Sequence, residues 1–321
     1  MKSPWSVLLL LLVLVAACTP VEEEPMTDWL QHASFPGATR ASASAFVVGD
    51  SAYLCCGRTL QRGGFLNEVW RYDSQNDRWD QLDTFPGKKR VKAVAVAING
   101  KGYVGMGSKG VPFDNSVYKD FYEFDPTTRQ WTRKADFPGE GANDLAYAVV
   151  NGCLYTSLGF DGILAHYETY RYDPATNGWT QLKDGLHPYM LTASFALDRY
   201  FYIAAGFQGR NVRYMFRYDT VSNQWSQAAS LPDGRILSNG LAINGKGYVL
   251  LGRFWAGAEN GGRLLSDIVE YDPASNSWTK RGDLPGAARQ NAAVFTIRGR
   301  GYVVMGESDT QCLSDVWSFK P

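Results

Sequence analysis

The sequence predicts an all-β fold: a six-bladed β-propeller of four-stranded antiparallel blades, closed by the N-terminal strand completing the last blade. Three observations predict it. A Trp recurs at positions 29, 79, 131, 179, 225 and 278, at intervals of 46 to 53 residues. A short apolar strand ending in Gly recurs with it, at Gly57, Gly107, Gly159, Gly206, Gly252 and Gly306. The chain also starts with a Trp strand and ends one strand short of a sixth complete unit. A period of this size is the mark of stacked supersecondary units, and four short strands per unit suit a propeller.

Each unit reads as four strands in a fixed order. The first is a run of small apolar residues, such as Ala93-Val94-Ala95-Val96-Ala97-Ile98, which fits a crowded axis. Asn99-Gly100, Asn151-Gly152 and Asn244-Gly245 follow it, and such pairs favour the positive φ angles of a two-residue hairpin. The second strand is Gly102-Tyr103-Val104-Gly105-Met106-Gly107 or its equivalent. The third carries aromatics into Asp-Pro-x-Thr/Ser-Asn, where Pro fixes φ and Asp caps backbone donors. The fourth carries the Trp, whose bulk suits the wide outer gap between blades. The N-terminal strand Asp28-Trp29-Leu30-Gln31 is then required to seal the ring and hide its open edge.

This pattern resembles the Kelch repeat family, whose mark is an apolar strand ending in Gly-Gly followed by a spaced Tyr and Trp. The resemblance covers residues 27–321. Only the second Gly of the pair is kept, the first being Cys56, Met106, Leu158, Ala205, Leu251 or Met305.

Residues 1–17 read as a signal peptide, with Lys2 followed by an apolar run from Val7 to Ala17, shorter than the roughly 20 residues a spanning helix needs. Its end, Leu14-Val15-Ala16-Ala17-Cys18, resembles the bacterial lipobox, which implies an acyl group on Cys18 and a lipid membrane as partner. Residues 18–26 are then an acylated tether, and the propeller occupies 27–321. The expected location is exported and lipid-anchored to the outer membrane, on the periplasmic side or at the cell surface. The Glu22–Glu24 triplet resembles a surface-export signal and equally suits a solvated linker. Lys+Arg and Asp+Glu both number 32, which removes the basic footprint of a nucleic-acid binder.

Cys55, Cys56, Cys153 and Cys312 follow no metal-ligand spacing, so no metal site is expected. Adjacent strand residues point to opposite faces, which argues against a Cys55–Cys56 bond. Buried free thiols are expected, with a bond from Cys312 to Cys55 or Cys56 left open. No cofactor is called for. Copper chemistry of the galactose oxidase kind needs two His and two Tyr ligands, and the chain has only His32, His166 and His187.

The strand order gathers the irregular connections on one face. Those between blades bring Arg40, Lys89, Arg90, Asn143, Asp144, Tyr189, Arg235 and Arg289. Those within blades bring Arg58, Lys109, Phe160, Asp161, Phe207, Arg210, Arg253, Phe254, Trp255 and Glu307. Arg forks match carboxylates and flat rings stack on sugars or peptide side chains. The expected ligand face is therefore Arg40, Arg58, Arg90, Asp144, Phe160, Phe207, Arg235, Arg253, Trp255 and Arg289. The resemblance to Kelch domains implies the same for the six Arg positions. A protein, peptide or glycan is the expected partner, with no catalytic residue assigned. The alternative is a sugar mutarotase similar to the N-acetylneuraminate epimerases. Its acid or base would come from Asp144, Asp161, His166, Glu259 or Glu307.

Overall fold

The computed structural model describes residues 28–61, 64–110, 116–140, 143–257 and 261–321. Cys18, residues 1–17 expected to be a signal peptide, and Glu259 lie outside them. Six four-stranded antiparallel sheets form a six-bladed propeller, as the repeat predicts. Blade 1 comprises Ser44–Val48, Ser51–Cys55, Val69–Asp73 and Arg78–Gln81. Blades 2 to 5 begin at Val94–Ile98, Ala146–Val150, Ala193–Leu197 and Asn239–Ile243. Blade 6 takes Ala293–Ile297, Arg300–Val304 and Val316–Phe319 from the C-terminus and Trp29–His32 from the N-terminus.

The seam is antiparallel, pairing Trp29 with Phe319 and His32 with Val316. Polar side chains reinforce it: His32 Nε2 lies 2.8 Å from Ser318 Oγ, and Arg300 donates to Asp28 at 2.8 Å.

Aromatic packing fills the gaps between neighbouring blades. Between blades 6 and 1, Phe35, Trp70, Tyr72 and Trp79 pack with Phe295 and Tyr302. A polar interlock repeats outside this core. Tyr172 donates its hydroxyl to Asn177 Oδ1 at 2.8 Å, and that oxygen also accepts the Ala135 N–H of the preceding blade at 3.0 Å. Trp179 Nε1 donates to the Ala135 carbonyl at 3.0 Å. The same set recurs with Tyr72/Asp77/Trp79, Tyr218/Asn223/Trp225 and Tyr271/Asn276/Trp278. The turn residues have φ of 48 to 55°, a left-handed conformation that Asn and Asp tolerate.

The departure from Gly-Gly has a backbone signature. Cys56, Met106, Leu158, Ala205, Leu251 and Met305 all have φ between 54 and 65°. The first position of the pair is left-handed even without Gly. Its side chain gains burial in the inter-blade core, and no β-branched residue occupies it. The second Gly cannot be replaced so freely. A Cβ on Gly107 would lie 2.5 Å from the Val91 carbonyl oxygen.

That left-handed turn corrects the expectation for the adjacent thiols. With φ of 65°, Cys56 joins Cys55 in the same core between blades 1 and 2. The Cys55 thiol is pushed well above its ordinary pKa, first by its hydrogen bond with Cys56 and then by burial. All four cysteines are free, including Cys312.

Candidate functional site

The first strands surround a central channel of about 500 Å³. Small residues face it in most blades, including Ala45, Ala95, Ser194 and Gly240, and Tyr147 is the bulky exception. Burial pushes the Tyr147 hydroxyl up to about 12.

At the loop face the channel opens between Ser42, Lys92, Asp144, Leu191, Leu237 and Asn291, one from each blade, all with φ between 53 and 60°. Behind each stands the residue that follows a blade's Gly. Arg58, Ser108, Phe160, Phe207, Arg253 and Glu307 bridge to Ala41, Val91, Asn143, Met190, Ile236 and Gln290. Between the two rings lies a cavity of about 400 Å³. Phe160, Met190, Leu191 and Leu237 make part of it apolar, while Arg58, Lys92, Asn143, Asp144, Asn291 and Glu307 make the rest polar.

The charges at this mouth are mutually paired. Arg58 donates to Glu307 at 2.6 Å across the seam between blades 1 and 6. Glu307 is 4% exposed and also accepts from Gln290 at 3.1 Å and Asn291 at 2.8 Å. Lys92 pairs with Asp144 between blades 2 and 3. Arg253 holds the Gln290 amide oxygen at 2.9 Å, the Gly261 carbonyl at 2.9 Å and the Asp309 carboxylate. Trp255 is clasped through its backbone by Asn211, at 2.7 and 3.1 Å. Phe207, Arg253 and Trp255 thus stand on the loop face without lining the 400 Å³ cavity.

Four expected ligand-binding arginines are elsewhere. Arg40, Arg90, Arg235 and Arg289 are at most 1% exposed. Each grips the acid at the start of the third strand of its own blade: Glu68, Asp120, Asp267 or Asp315, at 2.5 to 3.0 Å. Each also donates to the carbonyl of the left-handed residue sixteen positions on, as Arg90 does to Met106 at 2.8 Å. Burying a guanidinium requires a full set of acceptors, and these acceptors lie within the blade, so the side chain turns inward. The pairing holds Glu68 and Asp315 below the ordinary carboxylate range although burial, the largest influence on each, acts the other way. Residue type alone could not separate an inward from an outward Arg. The missed signal was the acid at the start of the third strand in the same four blades.

The acid–base candidates are also engaged. His166 Nε2 sits 2.9 Å from Asp161, and its Nδ1 lies 3.5 Å from Glu168. Asp161 accepts the backbone N–H groups of Ile163 and Leu164 at 2.7 Å, which cap its own loop. His32 is held in the seam, and His187 packs on Tyr189 with ring centroids 5.5 Å apart. Among the described residues no group of three His, Cys, Asp or Glu side chains could hold a metal ion.

Comparison with known proteins agrees with this architecture. The Kelch motif family model matches residues 190–232, the blade 4 repeat. Kelch-like protein 23 from Pongo abelii is 27% identical over 277 residues, covering 84% of this chain and 47% of that protein. Kelch-like protein 25 from Xenopus tropicalis is 26% identical over 80% of this chain and 43% of its own length. The chain thus spans about half the length of these curated relatives. N-acetylneuraminate epimerase from Yersinia enterocolitica is 32% identical over 167 residues, which is 50% of this chain and 39% of the epimerase. The solved structure of YjhT superposes with a TM-score of 0.73 at 18% identity, over 88% of this chain and 95% of that one, and shares its fold. With six copies of one repeat closed into a ring, the chain is a six-bladed β-propeller whose blade 4 carries a Kelch motif.

Proposed function

We propose that this propeller is a binding module, exported and held to a membrane by an acyl group on Cys18, whose funnel mouth takes a protein, peptide or glycan. The observation that carries this reading is the convergence of six blades on one cavity of mixed character. Its apolar flank offers Phe160, Met190 and Leu191, and its polar flank offers Asn143, Asn291 and the paired charges. The acidic candidates at this face are engaged with Lys92, Arg58 or His166, an arrangement suited to recognition rather than to proton transfer.

Arrays of glycans and of peptides, probed with the purified propeller, test the mouth directly. A ligand whose binding weakens at least tenfold in Phe160→Ala and Asn291→Ala supports the reading; ligands indifferent to both substitutions refute it. Incorporation of labelled palmitate that disappears in Cys18→Ser tests the anchor.

The similarity of half the chain to an N-acetylneuraminate epimerase supports a second reading, mutarotation of a sialic acid. Anomer exchange of N-acetylneuraminate followed by NMR decides it. Acceleration by the wild type that is lost in Glu307→Gln would favour the enzyme, and exchange at the spontaneous rate excludes it.

A further inference from the structure

The inner ring of the mouth is sorted by blade. Four adjoining blades, running from 6 through 1 and 2 to 3, present Asn291, Ser42, Lys92 and Asp144. The remaining two, blades 4 and 5, present Leu191 and Leu237. The Leu237 N–H donates to the Leu191 carbonyl at 3.0 Å, which sets the two leucines side by side. Both are half-buried, with φ of 60 and 54°. A left-handed backbone disfavours leucine, and a half-buried side chain recovers only part of its burial energy. The fold gains little from leucine at these two positions, whereas a ligand gains an apolar wall.

The ion pairs of the mouth are sorted by depth. The Arg58 side chain is 31% exposed and its partner Glu307 only 5%. The Lys92 side chain is 23% exposed and its partner Asp144 only 11%. Glu307 is also saturated, since its second oxygen accepts from Gln290 and Asn291. In both pairs the acid is the hidden partner and the cation meets the cavity. A further ion pair on this face runs the other way, with Asp309 exposed and Arg253 covered, and neither lines the cavity.

The two accessible cations flank Ser42. Arg58 bridges to Ala41 beside it, and the Lys92 N–H donates to the Ser42 carbonyl at 3.1 Å. Among the described residues the Arg58 side chain is engaged through Nη2 alone, which leaves Nε and Nη1 for an incoming carboxylate. The cavity of about 400 Å³ therefore has a cationic side at blades 1 and 2 and an apolar side at blades 4 and 5.

We propose that the mouth takes a peptide segment in which a carboxylate side chain stands beside a bulky apolar one. The carboxylate meets Arg58 and Lys92, and the apolar group rests on Leu191 and Leu237. A glycan brings carboxylates without a large aliphatic or aromatic side chain, so the two-sided cavity favours a peptide. This assignment rests on the mouth being the binding site of the propeller.

An array of capped tetrapeptides that sets Glu against Leu or Phe at every spacing, with Gln and Ala counterparts, tests this on the whole chain. The best binder is expected to lose at least tenfold when its Glu becomes Gln or its Leu or Phe becomes Ala, and to weaken with added salt. Lys92→Gln should weaken it about tenfold. The double variant Arg58→Gln/Glu307→Gln should do the same, although it leaves the net charge of the mouth unchanged. Asp144→Asn releases Lys92 and should tighten binding severalfold, with melting temperatures confirming that each variant folds. Binders that are lost in Phe160→Ala but indifferent to Glu→Gln and to both cation replacements would keep the mouth as the site and overturn this assignment. The absence of any binder sensitive to Phe160→Ala would remove the mouth itself, and the assignment with it.

Discussion

Arg90 and Asp120 meet through two parallel hydrogen bonds of 2.7 Å, with the arginine fully buried and the carboxylate at the blade edge. The pair is a fastener between a blade's entry loop and its third strand. Removing one partner leaves the other desolvated without compensation. Arg90→Ala is therefore expected to lower stability by about 3 kcal/mol, measured as a shift in the urea midpoint at constant slope. A midpoint change under about 0.5 kcal/mol, the size of an ordinary surface substitution, would contradict the inward role.

Gly107→Ala places a methyl group 2.5 Å from the Val91 carbonyl oxygen, on a residue with φ of 81°. The strain is expected to cost at least about 2 kcal/mol. Met106→Gly next to it relieves a left-handed side chain but empties part of the core, so it too should destabilise, and Met106→Val more so. Thermal melts of the three variants rank these effects.

The interlock at Asn177 joins blades 2 and 3 through one side-chain oxygen. Asn177→Ala removes two hydrogen bonds and installs a less tolerant residue at φ of 49°, for an expected loss of about 2 kcal/mol. Asn177→Asp keeps the acceptor, as Asp77 does naturally, and should recover most of it.

Deleting the chain through Ala33 exposes the edge of Val316–Phe319 and removes the Trp29 and His32 contacts. A fall in melting temperature of about 10 °C or more is expected, with aggregation through the bare strand. An unchanged melt would mean that the seam is dispensable.

Alkaline pH should unfold the ring through its tyrosines. Burial is the main cause that raises Tyr147, Tyr172, Tyr218 and Tyr271 to about 12 from an ordinary value of 10.0. The unfolded chain releases these protons first, so stability is full below pH 10 and is lost progressively as pH rises toward 12. Tyrosinate absorbance followed against pH, alongside urea midpoints, reads both sides of this linkage.

The architecture was legible because every repeat restates it: small first strand, Asn-Gly hairpin, aromatic third strand and outer Trp all demand the same blade. The Tyr–Asn–Trp interlock was hidden in plain motifs, since a sequence displays the turn but not the neighbouring blade's N–H that shares its oxygen. At the candidate site, Asp144, Phe160 and Arg58 do stand at the mouth, but Arg40, Arg90, Arg235 and Arg289 do not. Residue type fixed the position along the repeat and not the direction of a long, flexible side chain. Likewise, strand alternation misplaced Cys56 because it could not register a single left-handed residue.

Trp29 and Phe319 face each other at the start of a fourth strand and the end of a third, the side of the disc where the Asp-Pro turns lie. The start of the first described strand and the end of the last therefore meet on the back of the disc, opposite the funnel mouth. A domain fused at that seam is expected to leave the funnel facing away from its point of attachment. Engineered display through either terminus would leave the funnel unobstructed.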